Sequence, residues 1–344
     1  MSVIETRYHD SVNVLQGVFA ESGSTIGASA PFDRPEWYQL LANTGLTPLI
    51  ATAHTKNQSA AMALTQEGGR VTPLRNWYNF TWRAHAPSGE SGDQLLEAIA
   101  GNLRHRAHRI TLAPVPDEDG SATRLAQAFS NAGWRVEVSV CDSNHIAHVK
   151  GRTFEEYWKA RSSILRSTVR RKAKSLSVRV HTEFSEAIWD QYQTVYAESW
   201  KPREGQPDML RAFAKRESEL GQLRLGLAEN EGKTVSGQLW TIEAGVAYIH
   251  KLAYVEASRP LSAGTVLSAA MIEHAISQDG AKLIDFGLGD EPFKRQWMED
   301  VRPRYQIDCL DMAQPRAWMD LARLALGRSQ LDRVPTLARL PVAS

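Results

Sequence analysis

The sequence predicts an α/β (α+β) fold in which a mixed, mostly antiparallel sheet is flanked by helices. Apolar residues recur at helical spacing after Thr153, and Thr153 with Glu156 forms a capping box. Between residues 223 and 254 apolar and polar residues alternate, which is typical of strands. A glycine-bearing turn, a helix and a further strand follow between residues 259 and 286. A chain that combines long helical patterns with strand patterns is typical of the α/β (α+β) class.

The composition is that of a globular protein, with 42% hydrophobic and 23% charged residues. A chain of 344 residues is long for one ordinary domain, so we expect two domains. Because the net charge is +1, a polyanionic partner would have to bind a local basic patch. Two cysteines and no secretory pattern near Met1 favour a cytoplasmic protein. No apolar run approaches the roughly 20 residues of a membrane helix, so we expect no stable membrane insertion.

The first half of the chain predicts alternating helices and strands with weaker patterns. The predicted elements are a helix over 35–41, strands over 49–53 and 60–64, a helix over 95–105, a strand over 109–113, a helix over 123–131 and a strand over 134–140. Pro, Asp and Gly residues predict loops over 84–93 and 114–120.

The second half has clearer patterns. A helical stretch runs from Phe154 to Leu176, a second helix begins at Ser185 and extends its apolar face to Trp200, and a short third helix surrounds Phe213. Three strands over 223–227, 235–241 and 246–254, separated by Glu231-Gly232 and Ala244-Gly245, predict an antiparallel meander. After residue 312 a helical pattern predicts a tail that packs on the rest of the protein or, alternatively, binds a membrane surface.

The turn from Arg259 to Thr265 has the residues of an anion site. It leads from a strand into a helix, whose first N–H groups and positive dipole end attract anions. Gly264 allows the backbone to approach a phosphate closely, Ser262 and Thr265 add hydroxyl donors, and Arg259 adds a cation. The alternative is an ordinary strand-to-helix connection capped by Ser262.

The order of elements around this turn resembles the GNAT superfamily of N-acetyltransferases. Members of that superfamily hold the pyrophosphate of acetyl-CoA with a [Gln/Arg]-x-x-Gly-x-[Gly/Ala] loop, which Arg259-x-x-Ser262-x-Gly264 resembles except for its serine. Further segments resemble the cellulose-biosynthesis (CelD-type) branch of the superfamily, which is related to the Fem peptidyltransferases. These segments are His250-Lys251-Leu252-Ala253-Tyr254, Ser262-Ala263-Gly264, Asp285-Phe286-Gly287-Leu288-Gly289-Asp290 and Phe293-Lys294-x-x-Trp297.

The resemblance implies tandem GNAT-like domains, each built on such a sheet. Residues 1–144 would form a degenerate N-terminal GNAT-like domain, because they lack a comparable phosphate turn. Residues 145–312 would form the C-terminal GNAT acyltransferase domain, and residues 313–344 a basic amphipathic helical tail.

The resemblance also implies a donor site for acyl-CoA (acetyl-CoA) as co-substrate. The implied donor-binding residues are Leu252, Ala253, Val255, Arg259, Ser262, Ala263, Gly264 and Thr265. In this fold the third meander strand would hydrogen-bond the pantetheine arm through its backbone. Lys294 and Trp297 would meet an acidic acceptor, as a basic residue in this region does in the Fem-like relatives; a solvated Lys294 is the alternative.

Three residues are candidates for catalysis. Asp285 lies in an apolar strand, where a carboxylate is costly unless it is paired. It is therefore a candidate base or amine-orienting group, or else a structural carboxylate paired with an Arg or His. His250 is a candidate proton shuttle and Tyr254 a candidate acid for the leaving thiolate. Packing on the strand is the alternative for both.

A basic segment follows Trp158 and includes Arg170 and Arg171. It predicts a contact with CoA phosphates or with the backbone of a tRNA acceptor stem, and a solvated face is the alternative. Aromatic residues are not interleaved with these charges, so DNA is not an expected partner. No metal-binding motif occurs, and we expect no metal.

Three functions are compatible with these patterns. The first is an N-acyltransferase that transfers an acyl group from acyl-CoA to an amine of a small-molecule acceptor by direct attack. The second is a Fem-like aminoacyl transferase that takes its donor from charged tRNA. The third is a non-catalytic GNAT-fold protein in polysaccharide or envelope assembly.

Overall fold

The computed structural model describes residues 3–21 and 30–331. The strands in these ranges are β1 (Glu5–His9), β2 (Leu49–His54), β3 (Ser59–Glu67), β4 (Arg70–Pro73), β5 (Arg109–Val115), β6 (Arg135–His148), β7 (Ser177–His181), β8 (Leu223–Asn230), β9 (Lys233–Glu243), β10 (Val246–Tyr254), β11 (Leu283–Leu288) and β12 (Asp300–Leu310). The helices are α1 (Val14–Glu21), α2 (Pro35–Ala42), α3 (Glu90–Leu103), α4 (Ser121–Asn131), α5 (Phe154–Lys159), α6 (Ser163–Lys172), α7 (Glu186–Ala197), α8 (Pro207–Glu219), α9 (Ala263–Ser277) and α10 (Pro315–Leu331).

The described strands form one sheet in the order β1-β2-β3-β4-β5-β12-β6-β11-β10-β9-β8-β7. Neighbours are antiparallel except for the parallel pairs β4–β5 and β10–β11. The predicted meander is confirmed as β8, β9 and β10. Its two turns have left-handed backbone at Glu231 and Ala244, each followed by glycine, as tight hairpins require. The predicted mixed, mostly antiparallel sheet flanked by helices is therefore confirmed.

The two halves of the chain exchange strands at the centre of the sheet. β6, from the first half, lies between β12 and β11, and β12, from the end of the chain, lies between β5 and β6. β6 has 14 residues, so the strand predicted over 134–140 was too short at its C-terminal end. The boundary predicted between residues 144 and 145 falls inside this strand.

The helix predicted from Phe154 to Leu176 is two helices. α5 ends at Lys159, and Ser162 begins α6 by accepting a hydrogen bond from the Leu165 N–H at 3.2 Å. The break is stabilised from outside, because Arg161 donates to the carbonyl of Trp297 at 2.6 Å. Spacing alone could not reveal this long-range contact.

Three further helices differ from their predictions. α3 begins at Glu90, inside the predicted loop over 84–93. α8 is 13 residues long rather than short. α7 ends at Ala197, so Trp200 lies in the loop that follows the helix.

Aromatic contacts join the two halves in one core. Trp37 of α2 and Phe213 of α8 meet edge to face with ring centroids 5.1 Å apart. A second core packs α9 against the other face of the second half of the sheet through Leu267, Met271 and Ala275. Burial of these faces supplies most of the driving force for folding.

The predicted tail is helical as far as Leu331, and residues 332–344 lie outside the described residues. α10 packs on the first half through Asp320, which pairs with Arg70 at 2.6 Å and His108 at 3.2 Å. Trp318 is exposed. In the part of the chain that the structure describes, no helix combines the length and apolar character required to cross a bilayer.

Candidate functional site

The turn before α9 presents backbone donors to solvent. A 3-10 turn over Glu256–Leu261 ends at Ser262, which has left-handed backbone (φ 52°), and α9 begins at the next residue. The Ser262 side chain does not cap the helix. The N–H groups of the first turn therefore have no side-chain partner, and the positive end of the dipole is exposed beside them. The alternative, a helix capped by Ser262, is therefore wrong, and the first N–H groups of α9 remain available to an anion.

A cavity of about 400 Å³, here called the donor cavity, opens at this end of α9. Its residues from the turn and the helix are Arg259, Ser262, Ala263, Gly264 and Thr265. Leu252 and Tyr254 of β10 form one wall, and Trp200 and Trp297 also line it. The structure thus brings most of the predicted donor-binding residues together.

Two features of the donor cavity suit a phosphate group. Arg259 is exposed and makes no ion pair with another described residue, so its charge is available to a ligand. Gly264 lies against Tyr254, and a Cβ at this glycine would come within 3.2 Å of the tyrosine ring. A side chain at this position would require the Tyr254 ring to move by a few tenths of an ångström.

β10 and β11 separate beside this cavity. Their parallel pairing covers Val246 to Tyr248 and stops at Asp285, whereas β10 stays paired with β9 as far as Tyr254. A register shift at His250 bends β10 at the point of separation. The backbone of β10 beyond the bulge is therefore not occupied by a neighbouring strand on the β11 side.

A smaller cavity of about 190 Å³, here called the junction cavity, lies where the strands separate. It is lined by His250 and Lys251 of β10, by Lys294, and by Trp77 from the first half of the chain. Leu252 and Phe293 line both this cavity and the donor cavity, so the two are adjacent.

Asp285 is surrounded by hydrogen-bond donors. It accepts from Asn144 Nδ2 at 2.6 Å, the Gly287 N–H at 2.8 Å and Arg302 Nη2 at 2.8 Å. It is 2% exposed and lines neither the donor cavity nor the junction cavity. The geometry is that of a paired carboxylate inside the sheet.

His250 lies in an aromatic cage. Its Nε2 is 2.8 Å from Thr241 Oγ1, and its ring lies 5.1 to 5.7 Å from Phe32, Phe80 and Phe213. Burial, and then the charge of Lys251, lowers the pKa of His250 to about 3. The imidazole is therefore neutral at neutral pH and a weak base.

Lys294 and Trp297 are both buried close to the two cavities. The Lys294 ammonium donates to the Leu288 and Gly289 carbonyls and pairs with Glu291 at 2.9 Å. Lys294 is therefore not solvated, whereas the alternative interpretation required a solvated lysine. The Trp297 carbonyl accepts from Tyr157 and Arg161, and the residue lines the donor cavity.

Arg170 and Arg171 lie at the C-terminal end of α6. Both are exposed, and neither has an ion pair within the described ranges. They line neither the donor cavity nor the junction cavity. The structure therefore leaves them on a separate basic surface.

Sequence reasoning missed a polar cluster around Glu204. Glu204 accepts from the Tyr78 hydroxyl and pairs with Lys251 at 3.0 Å. Lys201 lines the junction cavity, and burial, then the charge of Lys251, lowers its pKa to about 8. These residues come from a loop, a strand and the other half of the chain, so no local pattern joins them. Lys251 directly follows the candidate His250, but nothing in the sequence marked it as functional.

The structure also bears on metal binding. In residues 3–21 and 30–331 no group of three His, Cys, Asp or Glu side chains is arranged to hold a metal ion.

Comparisons with known proteins agree with this geometry. Residues 159–295 match a family model described as an acetyltransferase (GNAT) domain. The structure of FemX is similar, with 12% identity, a TM-score of 0.61 and coverage of 89% of this chain and 97% of that chain. L-PGS from Bacillus licheniformis has 12% identity, a TM-score of 0.54 and coverage of 84% and 96%. A search of curated proteins gave no match.

A third similar structure is the C-terminal domain of a putative lysylphosphatidylglycerol synthetase from Agrobacterium fabrum. It has 13% identity, a TM-score of 0.54 and coverage of 78% of this chain and 85% of that chain. At these identities the structures show the fold alone. Residues 159–295 therefore resemble an acetyltransferase (GNAT) domain, and the chain shares its fold with FemX and L-PGS.

Proposed function

We propose that this protein is an N-acyltransferase that transfers an acyl group from acyl-CoA to an amine of a small-molecule acceptor. The observation that carries the proposal is the donor cavity, which joins an uncapped helix N-terminus to a pair of separating parallel strands. An anion site next to free strand backbone suits a ligand with phosphates at one end and amide groups along its arm.

The donor would bind first at the N-terminus of α9 and then along the free backbone of β10. Arg259 and the backbone from Ser262 to Thr265 would hold the pyrophosphate. The backbone of β10 from Leu252 to Tyr254 would hydrogen-bond the pantetheine arm; Val255 follows the strand, and its N–H and carbonyl already bond to Val235 and Ser258. The thioester would then lie toward the junction cavity, which borders the donor cavity at Leu252.

In the transfer step the acceptor nitrogen bonds to the thioester carbon, and the carbon–sulfur bond breaks. The nitrogen loses one proton and the thiolate gains one. Tyr254 lines the donor cavity and is our candidate for protonating the thiolate. Positioning of the two substrates contributes roughly 7–11 kcal/mol in favourable cases, so no strong base is required. We assign Asp285 and His250 to supporting roles because of their partners and the low pKa of the imidazole.

The test is calorimetric titration of the full chain with acetyl-CoA. We expect Arg259→Ala to weaken acetyl-CoA binding about tenfold. This loss corresponds to the free energy of roughly one charged hydrogen bond at an exposed site. Arg7→Ala is the matched control, because Arg7 lies on β1 at the far edge of the sheet and its side chain is 60% exposed. Absence of acetyl-CoA binding to the unaltered protein would refute the proposal.

A second candidate is aminoacyl transfer from charged tRNA, as in a Fem-like transferase. It is favoured by the unpaired basic surface at Arg170 and Arg171 and by the structural likeness to FemX. Filter binding with charged tRNA tests it. Replacing both arginines by alanine should weaken binding at least tenfold and reduce its salt dependence, because each contacts phosphate. The double control Arg7→Ala with Lys56→Ala should bind as the unaltered protein does.

We further propose the finer assignments that accompany this function. The chain would be a cytoplasmic member of the CelD-type branch with tandem GNAT-like domains, of which residues 1–144 form the degenerate copy. The likeness of the whole chain to FemX, over 89% of its length, supports this organisation. The boundary between residues 144 and 145 would then lie inside β6, and the two domains would share this strand.

A further inference from the structure

A third cavity of about 460 Å³ lies between α7, α8 and the loop that joins them, and is here called the α7–α8 cavity. Its interior is aromatic, with Trp189, Tyr192 and Tyr196 on the α7 side. Lys201 and Arg203 of the connecting loop also line it. A space of this size fits a small organic molecule.

Two side chains that line this cavity each have a buried polar atom without a partner. Trp189 is 1% exposed and Tyr192 is 2% exposed. Neither the indole Nε1 of Trp189 nor the hydroxyl of Tyr192 has a hydrogen-bond partner among the described residues. A buried donor without a partner is destabilising, and native proteins rarely keep two in one place. Both atoms are donors, so a side-chain movement that opened them to the cavity would favour a ligand with hydrogen-bond acceptors.

The charges around the cavity favour an anion. Arg203 is exposed and has no ion pair in the part of the chain that the structure describes. The Lys201 ammonium likewise has no hydrogen-bond partner there, and it lies 5.8 Å from the centre of the Trp200 ring. The nearby carboxylate of Glu204 is already paired with Lys251 at 3.0 Å. Two cations are therefore left for a ligand.

The α7–α8 cavity is connected with the reaction region. Lys201 lines both this cavity and the junction cavity, and Glu204 bonds to Lys251, which also lines the junction cavity. The two cavities are therefore neighbours that share Lys201 as a lining residue.

We propose that the α7–α8 cavity binds the acceptor, an amine whose apolar or aromatic body carries an anionic group. The body packs on Trp189, Tyr192 and Tyr196, and the anion pairs with Lys201 and Arg203. The acceptor role rests on the proposed acyltransferase function, whereas the ligand class rests on the cavity alone.

The first test uses three probes with one aromatic body: 3-phenylpropionate, 3-phenylpropanamide and 3-phenylpropylamine. Titrated into the full chain, the propionate should bind at least about tenfold more tightly than the amine, because the cavity has two free cations. Lys201→Met should remove most of that preference. Lys233→Met, at the exposed first residue of β9, should leave it unchanged. Equal binding of propionate and amine, or no binding of either, would overturn the proposal.

The second test removes only the unpaired hydroxyl of Tyr192. Tyr192→Phe should raise the melting temperature of the ligand-free protein by about 2–4 °C and weaken propionate binding at least threefold. A purely structural tyrosine would change the melting temperature without changing the affinity, and that result would count against a ligand contact.

Acetyl-CoA titration of the same samples separates the two proposals. If the propionate binds as expected but acetyl-CoA does not bind, the ligand class of the cavity is supported and the acyltransferase is refuted. If acetyl-CoA binds and the propionate does not, the donor site is supported and the cavity proposal is refuted.

Discussion

At the scale of single residues, the partners of a buried group decide what it can do. Asp285 accepts three hydrogen bonds, and its ion pair with Arg302 lies inside the sheet. These contacts hold β6, β11 and β12 together, and Asp285 lines neither the donor cavity nor the junction cavity. Lys201 is the opposite case, because burial lowers its pKa while its ammonium has no hydrogen-bond partner among the described residues.

The structural role of Asp285 predicts the behaviour of Asp285→Asn. Removing one charge takes from Arg302 one of its two ion pairs and leaves the other, with Glu118 at 2.9 Å, so we expect a loss of about 2 kcal/mol in the free energy of unfolding. Urea denaturation measures this loss. Asp300→Asn is the control, since Asp300 is exposed, and should change the stability by less than about 0.5 kcal/mol. Unchanged stability together with lost transfer activity would instead indicate a catalytic Asp285.

Glu243 predicts a pH dependence of stability. Burial, opposed by Arg34 and reinforced by Glu217, raises its pKa from 4.5 to about 7 in the folded protein. The folded state therefore holds the proton more tightly than the unfolded state. The resulting stabilisation is complete below about pH 4.5 and is lost as the pH rises through 7.

Relative to Glu243→Gln, the unaltered protein should lose up to about 3 kcal/mol of stability between pH 5 and pH 8. Urea denaturation at both pH values measures the difference. Glu256→Gln, at an exposed position, should follow the unaltered protein. Parallel pH profiles for Glu243→Gln and the unaltered protein would show that Glu243 is not the cause.

At the scale of elements, β10 and α9 form the site together. β10 pairs fully with β9 but only briefly with β11, so one of its edges is available next to the donor cavity. α9 begins without a side-chain cap because Ser262 adopts a left-handed backbone that turns the chain into the helix. The site is therefore a product of backbone geometry more than of particular side chains.

Ser262→Gly tests the conformational part of this geometry. A left-handed backbone costs a non-glycine residue roughly 1–2 kcal/mol, so glycine should stabilise the protein by about 1 kcal/mol. Urea denaturation measures the gain. Ala244→Gly, at φ 49°, should stabilise the protein similarly without changing acetyl-CoA binding. If the backbone holds the phosphate, Ser262→Gly retains acetyl-CoA affinity within about threefold; a larger loss would assign the binding to the hydroxyl.

At the scale of the whole molecule, the exchange of β6 and β12 makes the halves interdependent. Asn144 of β6 is fully buried; it donates to Asp285 and accepts from Arg302 and Arg304 of β12. The first half also supplies Trp77 to the junction cavity and Tyr78 to Glu204. The candidate site thus requires both halves in place.

This arrangement predicts cooperative unfolding. Scanning calorimetry of the full chain should give one transition whose calorimetric and van't Hoff enthalpies agree, because neither half keeps its central strand neighbours without the other. Two resolved transitions would show that the halves fold separately despite the shared sheet.

By itself the sequence determined the features that depend on local periodicity and turn chemistry. The meander, the strand-to-helix turn from Arg259 to Thr265 and the cap at Thr153 were predicted correctly because one-sided burial and tight turns constrain neighbouring residues. Only the tertiary structure decided the partners of Asp285, the break before α6 and the cluster of Lys201, Glu204 and Lys251. These three features depend on contacts between segments that are far apart in the chain. A local sequence pattern does not specify which distant segments will pack together.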